Sequence, residues 1–303
     1  MATGPALPLA PEPIPLGALS DPILVDPAPR LLGAVVEAYR EAAPEFVAPS
    51  VADLAGAADG DRGPDPSGLP TLRVLAGERA SDAATAGFRA ASRLAALLDA
   101  DLVDLRTLDV PQPNPVLAGE ETGFALIEGV DGGEGERDGA RPTRRWHRVG
   151  ADASLRERYA STFADAERYR LRTPSRRRAY EGFAARCDEA VAAAVLRALD
   201  AEVDADSPGV GPEPEATRVR AYAVGAREGV SDHALRRACE DAGLGSPSTF
   251  TRIKRLLREA DLIETVSEPQ PVGRPRERLA ARGALESAET PAETVAAVRG
   301  VTE

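Results

Sequence analysis

Ser248, Thr251, Arg255 and Arg258 recur at spacings of three and four, which at helical pitch gathers them on one side, with Arg252 beside them. Short hydroxyls near a helix start suit phosphate oxygens, as do the first-turn backbone N–H groups. Guanidinium groups further along suit guanine O6 and N7, because the planar fork donates twice in one plane. Phe250, Ile253, Leu257 and Ala260 fall on the opposite face, so this helix is expected to bury one side and present the other. Ser246, Ser248, Thr249, Thr251, Arg252, Arg255 and Arg258 are therefore candidate contacts to double-stranded DNA. Arg274 and Arg276 lie in the Gly/Pro-rich turn 269–276 and would add a cationic flank for an adjacent backbone or a narrow minor groove.

Other residue types offer less. His147 and His233 are the only histidines and have no sequence-local partner, so neither supports a triad or a metal site. Cys187 and Cys239 are far apart in sequence and fall on apolar helix faces, which excludes a disulfide framework and an all-cysteine metal site. The run Gly132-Gly133-Glu134-Gly135 is acidic and not followed by a helix, so it lacks the context of a phosphate-cradling loop. A second cationic cluster, Arg168, Arg170, Arg172, Arg176, Arg177 and Arg178, surrounds an expected helix start. Cations there oppose the helix dipole. That cost marks Arg170, Arg172, Arg176 and Arg177 as a candidate anion or effector site, against the plainer reading of a solvated helix start. No catalytic residues, metal or cofactor are expected.

The elements that must position the DNA contacts read as a winged helix over 216–283. A first helix, 217–228, buries Val219, Tyr222, Ala223 and Ala226. Ser231 caps a second, with Leu235, Ala238, Cys239 and Ala242 inward. The turn Gly243-Leu244-Gly245 supplies glycines where positive φ is needed and a leucine for the core. The third helix starts near Ser246-Pro247, and strands at 262–266 and 277–281 make the wing. Charge supports this. The stretch 216–283 holds 13 Arg and Lys against 9 Asp and Glu, whereas the whole chain is at −12.

Upstream, apolar runs alternate with helical periodicity. Strands at 23–25, 72–75 and 102–108 are separated by helices bearing Leu31, Leu32, Val35, Val36 and Tyr39, and Phe88, Ala91, Leu94, Ala95 and Leu98. The order implies an α/β domain with a mixed, partly parallel sheet. Segments 116–118, 124–127 and 144–149 read as a meander at its edge, with a flexible acidic loop at 129–139. A helix over 153–169 and a long one over 174–200, N-capped by Thr173, complete that half. The expected plan is a disordered Pro-rich extension 1–20, an α/β sensor or assembly domain 21–201, a linker 202–215, the winged helix 216–283, and a tail 284–303 with a short helix.

The segments 221–229 (AYAVGAREG), 235–255 (LRRACEDAGLGSPSTFTRIKR) and 269–278 (PQPVGRPRER) are similar to those of the haloarchaeal TbsP-type transcriptional regulators, named as suppressors in the network of the sugar-responsive regulator TrmB. The resemblance extends more loosely to 69–75 and 171–174. It implies a cytoplasmic DNA-binding regulator and carries no effector motif. The composition fits, with 36 Arg, a single Lys at 254 and a pI near 4.9. Dense carboxylates keep a protein hydrated in high salt, although GC bias also turns Lys into Arg. No signal peptide and no bilayer-spanning run, which takes about 20 apolar residues, is visible. The reading is a sequence-specific regulator of metabolic genes and not an enzyme, acting as a homodimer with a metabolite effector and no membrane partner. An enzyme controlling its own operon, or a protein-interaction adaptor with a non-binding winged helix, are the rivals.

Overall fold

The structure, a computed structural model, describes residues 4–7, 13–57, 65–129, 143–201, 211–268 and 276–301. In chain order come β1 (Ala6–Leu7), β2 (Ile14–Pro15), β3 (Ile23–Val25), α1 (Pro29–Ala42), α2 (Pro44–Val47), α3 (Val51–Ala57), β4 (Leu72–Ala76), α4 (Glu78–Ala84), α5 (Phe88–Asp99) and β5 (Val103–Thr107). Next are β6 (Val116–Ala118), β7 (Gly123–Gly129), β8 (Thr143–Gly150), α6 (Ser154–Asp165), α7 (Arg176–Arg186), α8 (Glu189–Asp200) and α9 (Pro214–Arg227). Then follow α10 (Asp232–Asp241), α11 (Pro247–Glu259), β9 (Ile263–Glu268), β10 (Arg276–Ala281), α12 (Gly283–Glu286) and α13 (Pro291–Ala297). The chain divides into two units, one of residues 1–47, 64–84 and 97–170, the other of 48–63, 85–96 and 171–303.

The first unit holds a six-stranded mixed sheet in the order β5-β4-β3-β6-β7-β8. β3, β4 and β5 run parallel, and β6, β7 and β8 turn back antiparallel. The continuous apolar run Ile23-Leu24-Val25 suits a central strand covered on both faces, and all three residues are buried. One face packs Ile23, Val25, Val116 and Ala118 against Tyr159 and Phe163 of α6. Arg106 donates to the carbonyls of Phe163, Ala164 and Ala166 at 3.0, 3.1 and 3.3 Å, a cation placed where α6 leaves its last acceptors open.

Two expectations for this unit change. The helix expected over 153–169 stops at Asp165. Residues beyond it run extended beside β5, with the Thr107 N–H donating to Glu167 O and the Tyr169 N–H to Leu105 O. An open sheet edge leaves backbone groups unpaired, and this segment satisfies them. The Pro-rich extension is not wholly irregular either, since β1 pairs with β2 and Leu7 and Leu16 are fully buried. Proline costs a ladder bond but does not stop flanking leucines from entering a core. Of the acidic loop at 129–139, only Gly129 is among the described residues, as the last residue of β7.

The second unit is built around α9. Thr217 and every residue from Val219 to Ala226 are buried, so α9 is covered on all sides. The long helix expected over 174–200 is two helices. Ser175 rather than Thr173 is the N-cap of α7, Cys187 leaves helical geometry at φ −116 and ψ −95, and the Asp188 carboxylate starts α8 by accepting from the Val191 N–H at 2.7 Å. Both helices share one apolar core with α9, α10 and α11, so they belong with the winged helix rather than with the α/β domain. Three arginines close the end of α8. Arg220 donates to Ala198 O and Ala201 O at 3.4 and 3.0 Å, and Arg89 donates to Asp200 O at 3.1 Å. Arg176 pairs with the Asp200 carboxylate at 2.5 Å and donates to Pro49 O at 2.8 Å. Of the expected linker 202–215, residues 202–210 lie outside the described residues and Pro214 and Glu215 open α9. The tail also joins the core through Leu285, Val295 and Val298, and α13 starts with a Thr290/Glu293 capping box.

Close approach of α7 to α10 depends on Gly182. A Cβ added there would lie 2.6 Å from Ala242 N and 2.7 Å from Ala242 Cα. Backbone cannot rotate out of the way, so Gly182→Ala is expected to destabilise the second unit by about 1–3 kcal/mol. An unchanged melting temperature would show that the helices do not pack this tightly.

Candidate nucleic-acid interface

The helix-turn-helix is set by its caps. Ser231 accepts from the Ala234 N–H at 3.3 Å to begin α10. Gly243 at φ +77 then lets the chain reverse, and Leu244, 4% exposed, is pulled inward by an N–H bond to Cys239 O at 2.9 Å. On α11, Phe250, Ile253 and Leu257 are fully buried. Ser248, Thr251, Arg252, Arg255 and Arg258 are exposed, as their spacing implies. Ala260, expected inward, is exposed at the C-cap, and Leu262 fills the core below it.

At the start of α11 three hydroxyls meet. Ser246 Oγ lies 2.8 Å from Ser248 Oγ and 3.1 Å from Thr249 Oγ1. Ser246 makes no side-chain cap to the helix, which leaves the first-turn N–H groups directed outward. The Thr251 hydroxyl donates back to Pro247 O at 3.0 Å. Further along, Arg255 is 68% exposed, with Glu259 one turn away at 3.8 Å. This row offers phosphate-type contacts first and guanidinium donors second.

A polar network beneath the row was not legible as a site. Asp232 is 2% exposed, yet its carboxylate accepts from the Tyr222 hydroxyl, from Arg236 at 2.6 Å and from Lys254 at 3.1 Å. Lys254 also donates to Glu277 of β10 at 2.9 Å. One buried carboxylate thus ties α9, α10, α11 and the wing together. Burial, and then the bond to Asp232, raise the Tyr222 phenol far above its usual range, so it stays a donor. Arg236 emerges beside Thr251, with Nη1 at 3.4 Å from its hydroxyl, and adds a cation from α10 to the exposed row. The i,i+4 spacing of Asp232 and Arg236 was the available signal.

The wing pairs β9 with β10 antiparallel from Ile263↔Ala281 to Glu268↔Arg276. Arg276 is the first residue of β10, and Arg274 lies outside the described residues. Arg278 anchors the base of the hairpin by donating to Gly229 O at 2.7 Å.

Two family models match, adjoining one another. The N-terminal domain of TbsP-like transcriptional regulators matches residues 34–174, and their C-terminal HTH domain matches residues 175–299. The chain belongs to the TbsP-like transcriptional regulators. No curated protein and no solved structure matches it. The C-terminal match of this TbsP-like regulator begins at Ser175, the N-cap of α7, and so takes in α7 and α8 together with the helix-turn-helix.

In the second arginine cluster one member is already committed. Arg176 is 8% exposed and spent on Asp200 and Pro49 O, so it cannot also bind an anion. Arg170 belongs to the first unit, and Arg172 and Arg177, one exposed and one half-buried, to the second. Among the described residues no three metal-ligating side chains gather, and both histidines are exposed. Burial pushes the Cys187 thiol up to about 11 and the Cys239 thiol well above its usual value, which makes both poor nucleophiles. No helix is long and apolar enough to cross a membrane among the described residues.

Proposed function

We propose that this TbsP-like protein is a sequence-specific transcriptional regulator that lays α11 in the major groove and sets the wing beside it. The observation that carries this is the split of α11, with Phe250, Ile253 and Leu257 at zero exposure and Arg252, Arg255 and Arg258 outward. Ser246, Ser248 and Thr249 would hold phosphate, Thr251, Arg252, Arg255 and Arg258 would face base edges, and Arg274 and Arg276 would follow the flanking backbone. One short recognition helix gives limited affinity, so a homodimer on half-sites about 34–36 Å apart is the expected working form. The α/β unit is then the place for assembly or for a metabolite effector, and metabolic genes are the expected targets.

The test compares wild type with the Arg255→Ala/Arg258→Ala double variant on a duplex selected by the wild type from a random pool. Each base-reading arginine is worth about 1–3 kcal/mol of discrimination, and each phosphate-binding cation about one unit of salt slope. Affinity for the selected duplex is expected to fall at least tenfold, with the melting temperature unchanged. Equal affinity would favour a winged helix used for protein contacts.

A further inference from the structure

Arg252 and Arg255 differ in what holds them. Arg255 is 68% exposed and pairs loosely with Glu259, at 3.8 Å on the same helix. Arg252 instead pairs through Nη2 with Glu215, in the first turn of α9. Glu215 is held in turn: its other oxygen lies 3.6 Å from Arg218 Nη1, and Arg218 Nε donates to Leu244 O at 2.7 Å in the turn that precedes α11. The Arg252 side chain is 44% exposed and that of Glu215 34%, so the pair sits at the surface that the DNA reading assigns to the duplex.

We infer that Glu215 is a positioning residue that sets sequence selectivity by holding Arg252 in one base-reading orientation. A free arginine loses rotamer freedom when it docks, whereas one already fixed by a carboxylate loses less. The bond to Glu215 uses one terminal nitrogen, and the remaining donors of the fork stay available for a base edge. The carboxylate also repels phosphate, which penalises any register that places Arg252 on the backbone alone. Both effects raise the ratio of specific to non-specific affinity, the first by strengthening the right site and the second by weakening the wrong ones.

This rests on the DNA-binding reading above, and the experiment separates the two. The full chain is measured on the wild-type-selected duplex and on a scrambled duplex of the same length. Glu215→Gln removes the charge, Glu215→Asp keeps the charge but shortens its reach, and Arg252→Gln removes the partner. Glu215→Gln is expected to lower the selected-to-scrambled affinity ratio about tenfold, with scrambled binding rising. Glu215→Asp should lower the ratio through the selected duplex alone, and neither change should add to that of Arg252→Gln in the double variant. An unchanged ratio, or equal losses on both duplexes with a lower melting temperature, would overturn the role of Glu215. Failure of the wild type to select any sequence would overturn the DNA reading itself.

Discussion

Asp232→Ala is expected to destabilise the second unit by about 3–5 kcal/mol, since it breaks a buried ionic network by removing one partner. The remaining groups cannot all reach water. The Lys254 side chain is 15% exposed and, among the described residues, would keep only Glu277 as an ion-pair partner, and the buried Tyr222 hydroxyl would lose its acceptor. Asp232→Asn should cost less, because an amide oxygen can still accept from Tyr222 while the charge attraction to Arg236 and Lys254 is lost. Equilibrium unfolding in urea measures both. A loss under about 1 kcal/mol for the alanine variant, the scale of a surface ion pair, would show that the carboxylate is not buried as described.

Phe250→Ala should be as damaging, at about 3–5 kcal/mol. The ring is fully buried and stacks on Tyr222 at 5.8 Å between centroids and 16° between planes. Removing it leaves a cavity between α9 and α11, the contact that fixes the angle of the recognition helix. DNA binding should fall together with stability, whereas Arg255→Ala/Arg258→Ala should lose binding alone. That contrast can be read from paired melting and binding curves. Wild-type stability in Phe250→Ala would place the α11 core contact elsewhere.

The legible parts of this fold are those with one wet side. α11 announces itself because Phe250, Ile253 and Leu257 alternate with Thr251, Arg252, Arg255 and Arg258 at helical spacing, and the structure separates the two sets as that spacing implies. β3, β4 and β5 are legible as apolar runs between periodic helices, which fixes a partly parallel sheet. α9 is legible only in part. Its expected inward residues Val219, Tyr222, Ala223 and Ala226 are buried, but the helix is packed all round, so the burial of Thr217, Arg220, Ala221 and Val224 follows from no stripe, and its start at Pro214 hides in an acidic, Pro-rich stretch. The break between α7 and α8 rests on Cys187 and Asp188, where the heptad-like apolar spacing runs on unbroken although the backbone does not.

The site was read in the same uneven way. Exposed cations follow from helix angle, but Lys254 lies between the two faces of α11, and its value comes from partners on α10 and β10 that no local pattern reveals. Glu215 fell in the expected linker, 37 residues before the arginine it holds. Arg176 was misread for the opposite reason. Clustered arginines look like an anion site, and only the fold shows that this one is consumed by Asp200 and Pro49 O.

Whether α11 lies in a groove of duplex DNA is read most directly by tethering a DNA-cleaving reagent to a Ser248→Cys thiol. Burial suppresses the two native thiols, so the new exposed one should label selectively. Bound to the selected duplex, the reagent is expected to cut within a few nucleotides of one position in each half-site. Cuts scattered evenly along the duplex, or none at all while the protein remains bound, would contradict a recognition helix seated in the groove.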